Sequence, residues 1–379
     1  MGAYLDHAAT TPLRPEALAA MLPFLTEHFG NPSGSHSVAR AARRAVDDAR
    51  DSLASSLGCR PGELVFTAGG TEADNLAVLG VAGARPGDVV CSAVEHHAVL
   101  HAARAVQATT VAVDTDGVVD LDTLAAVVRP RTTLVSVMLA NNEVGTIEPV
   151  DAVVELVRDR APEARVHTDA VAALPYLDVA SLAARVDLVS ISAHKFGGPK
   201  GVGALVVRGT TALSPVLHGG GQERDRRPGT HDVAGIVGMA AALDAALVQR
   251  RAEEIRLRGL RDRLVDGLID AIADVTENGA SRRGADPVSR RLPGVANLTV
   301  AGVDNEELLI LLDEEGIQAS AGSACASGAA APSHVLLAMG RSTADARSAL
   351  RFSLGHSTTD ADVECVLAVM PKLVERLRA

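Results

Sequence analysis

The chain has 379 residues, enough to bury a large core with a smaller domain beside it, and 36 basic against 47 acidic side chains give a formal charge of −11. That balance argues against non-specific binding to phosphate backbones or acidic membranes, and an aromatic content of 2% without Trp leaves little to stack bases, so no direct nucleic-acid contact is expected. Cys59, Cys91, Cys325 and Cys365 lie far apart with no CxxC pair, which speaks against a zinc site or disulfide framework and fits a reducing cytoplasm. The N-terminus shows no basic-then-apolar signal, and no apolar run of roughly 18 residues is read, so no membrane partner is expected.

Residues 4–12, rich in small and hydroxyl side chains, read as an ordered N-terminal arm. The turn-rich stretch 30–36 precedes an Arg- and Ala-rich helix from about Val38 to Leu57, whose arginines read as a solvated face. From Glu63 short apolar strands alternate with helices: 64–66 before a helix over 72–81, then 89–91, 134–138, 166–168 and 188–192. This alternation predicts a mostly parallel sheet with helices on both faces. The glycine segment 217–224 reads as a flexible loop, and a Pro-free run from about Val233 to Val275 as long helical structure of the kind that bridges domains. Stretch 279–294, rich in Gly and Arg, reads as a linker or exposed loop. Strands 295–300 and 350–354, with helices over 305–315 and 360–378, form a separate α+β unit. Inside it, the small-residue run 319–332 is unsuited to a packed core and predicts an accessible, reactive Cys325. Cys59, Cys91 and Cys365 lie in or beside apolar patterns and read as structural.

In a parallel sheet ligands sit beyond the carboxyl ends of the strands. Gly70 and Thr71 open a helix after one strand and offer free N–H groups to a phosphate. His96, Asn142, Asp169, Ser192, His194 and Lys195 fall at the same edge. Lysine ending a buried strand is disfavoured as ammonium and becomes a usable imine former and base. An acid, an imidazole, a phosphate seat and a lysine together describe a site for pyridoxal 5′-phosphate.

Seven segments carry a family resemblance: 5–12 (Leu5-Asp6-His7-Ala8-Ala9-Thr10-Thr11-Pro12), 69–75, 141–146, Ser192-Ala193-His194-Lys195, 219–223, Gly322-Ser323-Ala324-Cys325 and 350–355. With these in this order, the chain resembles the cysteine desulfurases from Tyr4 to its terminal helix. The resemblance implies the fold type I architecture of pyridoxal-phosphate-dependent transferases, a homodimer, and a mostly parallel seven-stranded sheet in the large domain. That domain would span 15–255, with a small α+β domain from 1–14 plus 256–379. Lys195 would be the Schiff-base lysine, Asp169 the partner of the pyridine nitrogen and His96 the stacking imidazole. Thr71, Ser192 and His194 would hold the phosphate, with Thr230 reaching it from the neighbouring subunit. Arg351, helped by Asn142, would grip the substrate carboxylate. Lys195 would then remove the Cα proton of L-cysteine, Cys325 would take the sulfur as a persulfide, and L-alanine would leave. The long cysteine loop implies delivery to a sulfur-acceptor protein, such as a cluster scaffold or a thiolation enzyme.

Two positions depart from the family pattern. A glutamine usually follows the aspartate by three residues, where this chain has Ala172, so lower intrinsic turnover raised by a partner is expected. The sequence also stops with its last helix, lacking the tail by which many relatives dock a scaffold, so the acceptor stays open. The rival readings are a selenocysteine lyase or another lyase or transferase on the same fold, and a non-catalytic partner-binding homologue. Cys325 argues against an aminotransferase, and the joint retention of Lys195, Asp169, Arg351 and Cys325 argues against a catalytically empty one. No role is read for His97, His101 or His356.

Overall fold

The computed structural model describes residues 2–282, 290–322 and 331–379. The chain begins with strand β1 (Ala3–Tyr4) and helices α1 (Pro15–Thr26) and α2 (Ser37–Ser56). The alternating region holds β2 (Leu64–Thr67), α3 (Gly70–Ala84), β3 (Asp88–Ser92), α4 (His97–Ala105), β4 (Thr109–Val111) and α5 (Leu121–Val127). It continues with β5 (Thr132–Ser136), α6 (Val150–Arg160), β6 (Arg165–Asp169), α7 (Val179–Leu182), β7 (Leu188–Ser192) and β8 (Gly203–Val207). Helix α8 (Val233–Ala271) leads to β9 (Val275–Glu277), β10 (Val295–Val300), α9 (Asn305–Glu314) and β11 (Ile317–Gln318). Short helices α10 (His334–Ala338) and α11 (Thr343–Arg347), strand β12 (Ala349–Ser353) and α12 (Asp360–Arg378) complete it.

The central sheet has seven strands in the order β2-β8-β7-β6-β5-β3-β4, and only β8 runs against the rest. The sheet is mostly parallel, as expected, and mixed by that one strand. Its reversed strand follows from chain length: the segment 193–202 is too short to cross the sheet, so β8 must fold straight back on β7. Strand β4, with two of three residues exposed, is a polar edge that apolar patterning passes over. Helix α1, with Pro15 at its first position, also lies outside the predicted elements.

Helix α8 joins two apolar cores. Val233–Ala246 of α8 contributes to the core on one face of the central sheet; Leu257, Leu260, Leu264 and Leu268 enter a second core with β10, β12 and α12. Each of those leucines contributes about 2 kcal/mol of apolar burial. Although the sequence suggests no membrane-length apolar run, α8 contains one window of that length and composition, with mean hydropathy 1.4. Of that window 56% is buried against protein. The helix starts at Asp232, whose Oδ1 accepts from Gly235 N at 2.9 Å.

The stretch expected to be a linker is anchored wherever it is described. Arg291 is 1% exposed and donates from Nε to Ala280 O (2.8 Å), from Nη1 to Glu277 Oε1 (2.6 Å) and from Nη2 to Asn278 O (2.6 Å). Burial lowers its pKa to about 10, with Glu277 opposing the shift. Arg282 also grips Glu277, at 2.6 Å. A polar, Gly-rich sequence thus hides a buried guanidinium that ties β9 to the segment before β10. Because Arg282 keeps Glu277 paired, Arg291→Ala is expected to destabilise by about 3 kcal/mol, at the low end for a broken buried pair. Urea unfolding with an unchanged m-value checks this; a loss below about 1 kcal/mol would show that the anchor is unimportant.

Candidate active site

A cavity of about 920 Å³ opens at the carboxyl edge of the parallel strands, and Arg351 of β12 reaches it from the second core. Gly70, Thr71, His96, Asn142, Asp169, Ser192, His194, Lys195 and Arg351 all line it. Thr230 does not; it is exposed outside its own chain's cavity. Cys325 lies outside the described residues.

The turn from β2 into α3 makes the anion seat. Gly69 has φ +143°, and a Cβ on Gly70 would stand 2.8 Å from Val171 Cγ2, so the backbone there is pressed against the wall. The first N–H groups of α3 face the cavity beside Ser192 and His194. Glu72 fixes the turn: its Oε2 accepts from Ala68 N at 2.6 Å, and Arg227 Nε donates to its Oε1 at 2.8 Å.

Lys195 stands at the end of a single 3₁₀ turn (Ala193–Lys195) that follows β7. Its Nζ donates to the carbonyl oxygens of Ala8 and Ala9, so the N-terminal arm forms one wall of the site. Asp169 ends β6, is 4% exposed, and accepts from Val171 N at 2.8 Å. Burial pushes its carboxyl up to about 6, while the Val171 N–H and Lys195 oppose the shift. Two further buried acids, Asp74 and Glu95, are raised well above the usual carboxylate range by burial first and by Asp169 second. His167 lies between Ser136 Oγ (2.8 Å) and Ser190 Oγ (2.9 Å), and burial lowers its pKa to about 3. Burial therefore disfavours the charged forms of Asp74, Glu95 and His167 around Asp169.

His96 caps α4 by accepting from Ala98 N through Nδ1 at 3.1 Å. Burial, then Lys195, lowers its pKa to about 4, so the ring is neutral with its hydrogen on Nε2. His97 and His101 lie on α4; His97 packs between His101 and His334, with ring centroids 5.2 and 4.5 Å away. His356 packs near His7, 5.9 Å between centroids, away from the cavity lining.

Arg351 is 2% exposed. Its Nη2 donates to Asp6 Oδ1 at 2.7 Å and its Nη1 to Asn142 O at 3.1 Å, so Asn142 meets it through the backbone. The neighbouring Asn141 builds that loop, its Oδ1 accepting from Glu143 N and Val144 N. Glu143 gathers the two described ends of the cysteine loop. Its Oε2 accepts from Ser333 Oγ at 2.5 Å, and a Cβ on Gly322 would stand 3.2 Å from the same oxygen. Sequence reasoning assigned no role to Asp6, Asp74, Glu95 or Glu143. For Glu95 a signal was present, a carboxylate three residues past the end of β3 and after the apolar Ala93 and Val94; Asp6 gave none, because its partner is 345 positions away. Cys59 and Cys91 are pushed up to about 11 and 12 by burial, which keeps them as thiols and fits the structural reading.

This set of donors fits pyridoxal 5′-phosphate: an anion seat too tight for a Cβ, a buried acid, a neutral imidazole and a lysine around one cavity. Comparison with known proteins agrees. The profile of the family described as aminotransferase class-V matches residues 3–366. A cysteine desulfurase IscS of Dictyoglomus turgidum is 43% identical, covering 99% of this chain and 95% of that protein. An IscS-like cysteine desulfurase of Mycobacterium tuberculosis is 45% identical, covering 99% and 97%. Among solved structures, a NifS-like protein aligns with a TM-score of 0.91 at 34% identity, covering 99% of this chain and all of that one. The chain belongs to the aminotransferase class-V family and, within it, to the pyridoxal-phosphate-dependent cysteine desulfurases.

Proposed function

We propose that this cavity converts L-cysteine to L-alanine and passes the sulfur, as a persulfide on Cys325, to an acceptor protein. The observation that carries the reading is the meeting of Lys195, Asp169 and His96 from the central sheet with Arg351 from the second core around one cavity. When bound, pyridoxal 5′-phosphate supplies an electron sink for the charge left on Cα as its proton departs.

The chain's own residues do the rest. Gly70, Thr71, Ser192 and His194 hold the phosphate, with Thr230 of the partner subunit completing the seat in a homodimer; Thr230's exposure outside its own cavity supports that assignment. Asp169 would pair with the ring nitrogen, whose proton would give the buried carboxylate a counter-charge. His96, kept neutral, would lie against the ring without adding charge. Lys195 takes the Cα proton, and the Ala8 and Ala9 carbonyls then hold the resulting ammonium. Arg351 seats the substrate carboxylate. The Cys325 thiolate attacks the substrate sulfur, the S–S bond forms, and the C–S bond breaks with its electron pair left on Cβ, which is protonated; the proton held by Lys195 returns to Cα before L-alanine leaves. The placement of Gly322 and Ser333 at Glu143, beside the cavity, supports a loop that serves this site. A cytoplasmic setting accords with a reactive thiol.

Three outcomes are expected. Cys325→Ser retains the cofactor band but forms no alanine or sulfide from L-cysteine under a thiol reductant; equal sulfide release would point instead to direct elimination. Asp169→Asn loses activity, yet raises the thermal midpoint of the cofactor-free protein by about 2–4 °C above pH 6, because it removes a buried charge. The sign follows from linkage: the folded carboxyl titrates near 6 and the unfolded one near 3.8, so the penalty is full above pH 6 and vanishes as pH falls towards 4. A midpoint that drops at every pH would contradict that assignment. Ala172, which lines the cavity with a methyl group, leaves room for a polar contact to the ring oxygen. Ala172→Gln should therefore raise turnover and shift the visible absorbance; no change in either would overturn that role.

A further inference from the structure

L-Cysteine and L-alanine carry the same α-carboxylate, so binding energy spent on that group holds product as firmly as substrate and accelerates nothing. A fully buried guanidinium with no resident anion would bind both tightly. Arg351 has a resident anion, and it comes from the N-terminal arm: Asp6 Oδ1 lies 2.7 Å from Nη2. Asp6 takes only that nitrogen, while Nε has no hydrogen-bond partner among the described residues, although Arg351 is 2% exposed. The Nε–H and the second hydrogen of Nη2 therefore remain for an incoming carboxylate. Asp6 is also held in place. Its carbonyl accepts from Tyr4 Oη (3.1 Å), Ala9 N (3.1 Å) and Thr10 N (3.4 Å), and it forms a bridge with Ser353. The turn so wound presents Ala8 and Ala9 to Lys195. The backbone that presents the Asp6 carboxylate is thus the same turn that borders the lysine.

Resting on the reading of Arg351 as the carboxylate seat, we infer that Asp6 is a resident counter-ion that shares this guanidinium with the substrate and keeps the affinity for the amino-acid carboxylate low enough for L-alanine to leave. Asp6 is a positioning residue, acting through Arg351.

The test is calorimetric titration of the holoenzyme with L-alanine and with ethylamine, which is L-alanine without its carboxylate. Asp6→Asn keeps the shape and the acceptor oxygen but removes the charge. It is expected to tighten L-alanine about tenfold, to lower the KM for L-cysteine in parallel without raising kcat, and to leave ethylamine unchanged. Asp6→Glu keeps the charge and should stay close to wild type. An unchanged or weaker L-alanine Kd in Asp6→Asn, equal tightening of ethylamine, or equal tightening in Asp6→Glu would each overturn the counter-ion role. Arg351→Lys separates the two readings. If it weakens L-alanine while Asp6→Asn has no effect, only the counter-ion role falls; if it leaves L-alanine binding unchanged, the carboxylate seat falls with it.

Discussion

A guanidinium buried to 2% exposure demands anions or oriented carbonyls around it, and Arg351 obtains them from three separate segments. Asp6 comes from the N-terminal arm, Asn142 from the loop after β5 and Gly322 from the start of the cysteine loop. Desolvating the charge without them would cost several kcal/mol. The same requirement therefore docks the second core on the carboxyl edge of the central sheet. It also leaves the Nε side of the fork without a protein acceptor among the described residues. Strand β12 carries this residue between β10 and the Ser320 bridge, where backbone bonds on both sides leave the side chain little freedom.

Under the sheet edge the problem is the opposite one: acids crowded where solvent is absent. Asp74, Glu95 and Asp169 cannot all be ionised within one buried layer, and the penalty is distributed unevenly. Asp169 has the Val171 N–H and the nearby lysine to favour its charge. Asp74 and Glu95 are also hydrogen-bonded, yet burial raises both well above the usual carboxylate range. Of the three, Asp169 is the one with Lys195 acting to lower its pKa. Neutral His96 on the other side adds no competing positive charge. The strained, poorly compensated charge is a feature of a site built for binding rather than for stability.

What the sequence discloses and what it hides follow the range of the interactions. Short apolar strands with polar residues at their ends are local patterns, and through them Lys195, Asp169, His96 and the Gly70 cradle are legible one by one. Strand β8 was legible in principle, since the apolar run Gly203–Val207 follows a connection too short for a crossover. Strand β4 was not, because its residues are mostly exposed and polar. Arg291 misleads for a physical reason. Its neighbours are glycine, arginine and polar residues that ordinarily mark an exposed loop, yet the side chain is satisfied by carbonyls of its own neighbourhood and can be buried. The Asp6–Arg351 pair carries no local signature at all.

The N-terminal arm shows how far such long-range pairs organise the site. Residues 6–9 are too short for an element, and their side chains are mostly small, yet their backbone meets Lys195 and their one carboxylate meets Arg351. Tyr4, Ser353 and the His194 carbonyl hold the arm from three directions. The same four residues of backbone thus meet both Lys195 and Arg351. Ala8 and Ala9 border the cavity, so a larger side chain at either position would occupy it.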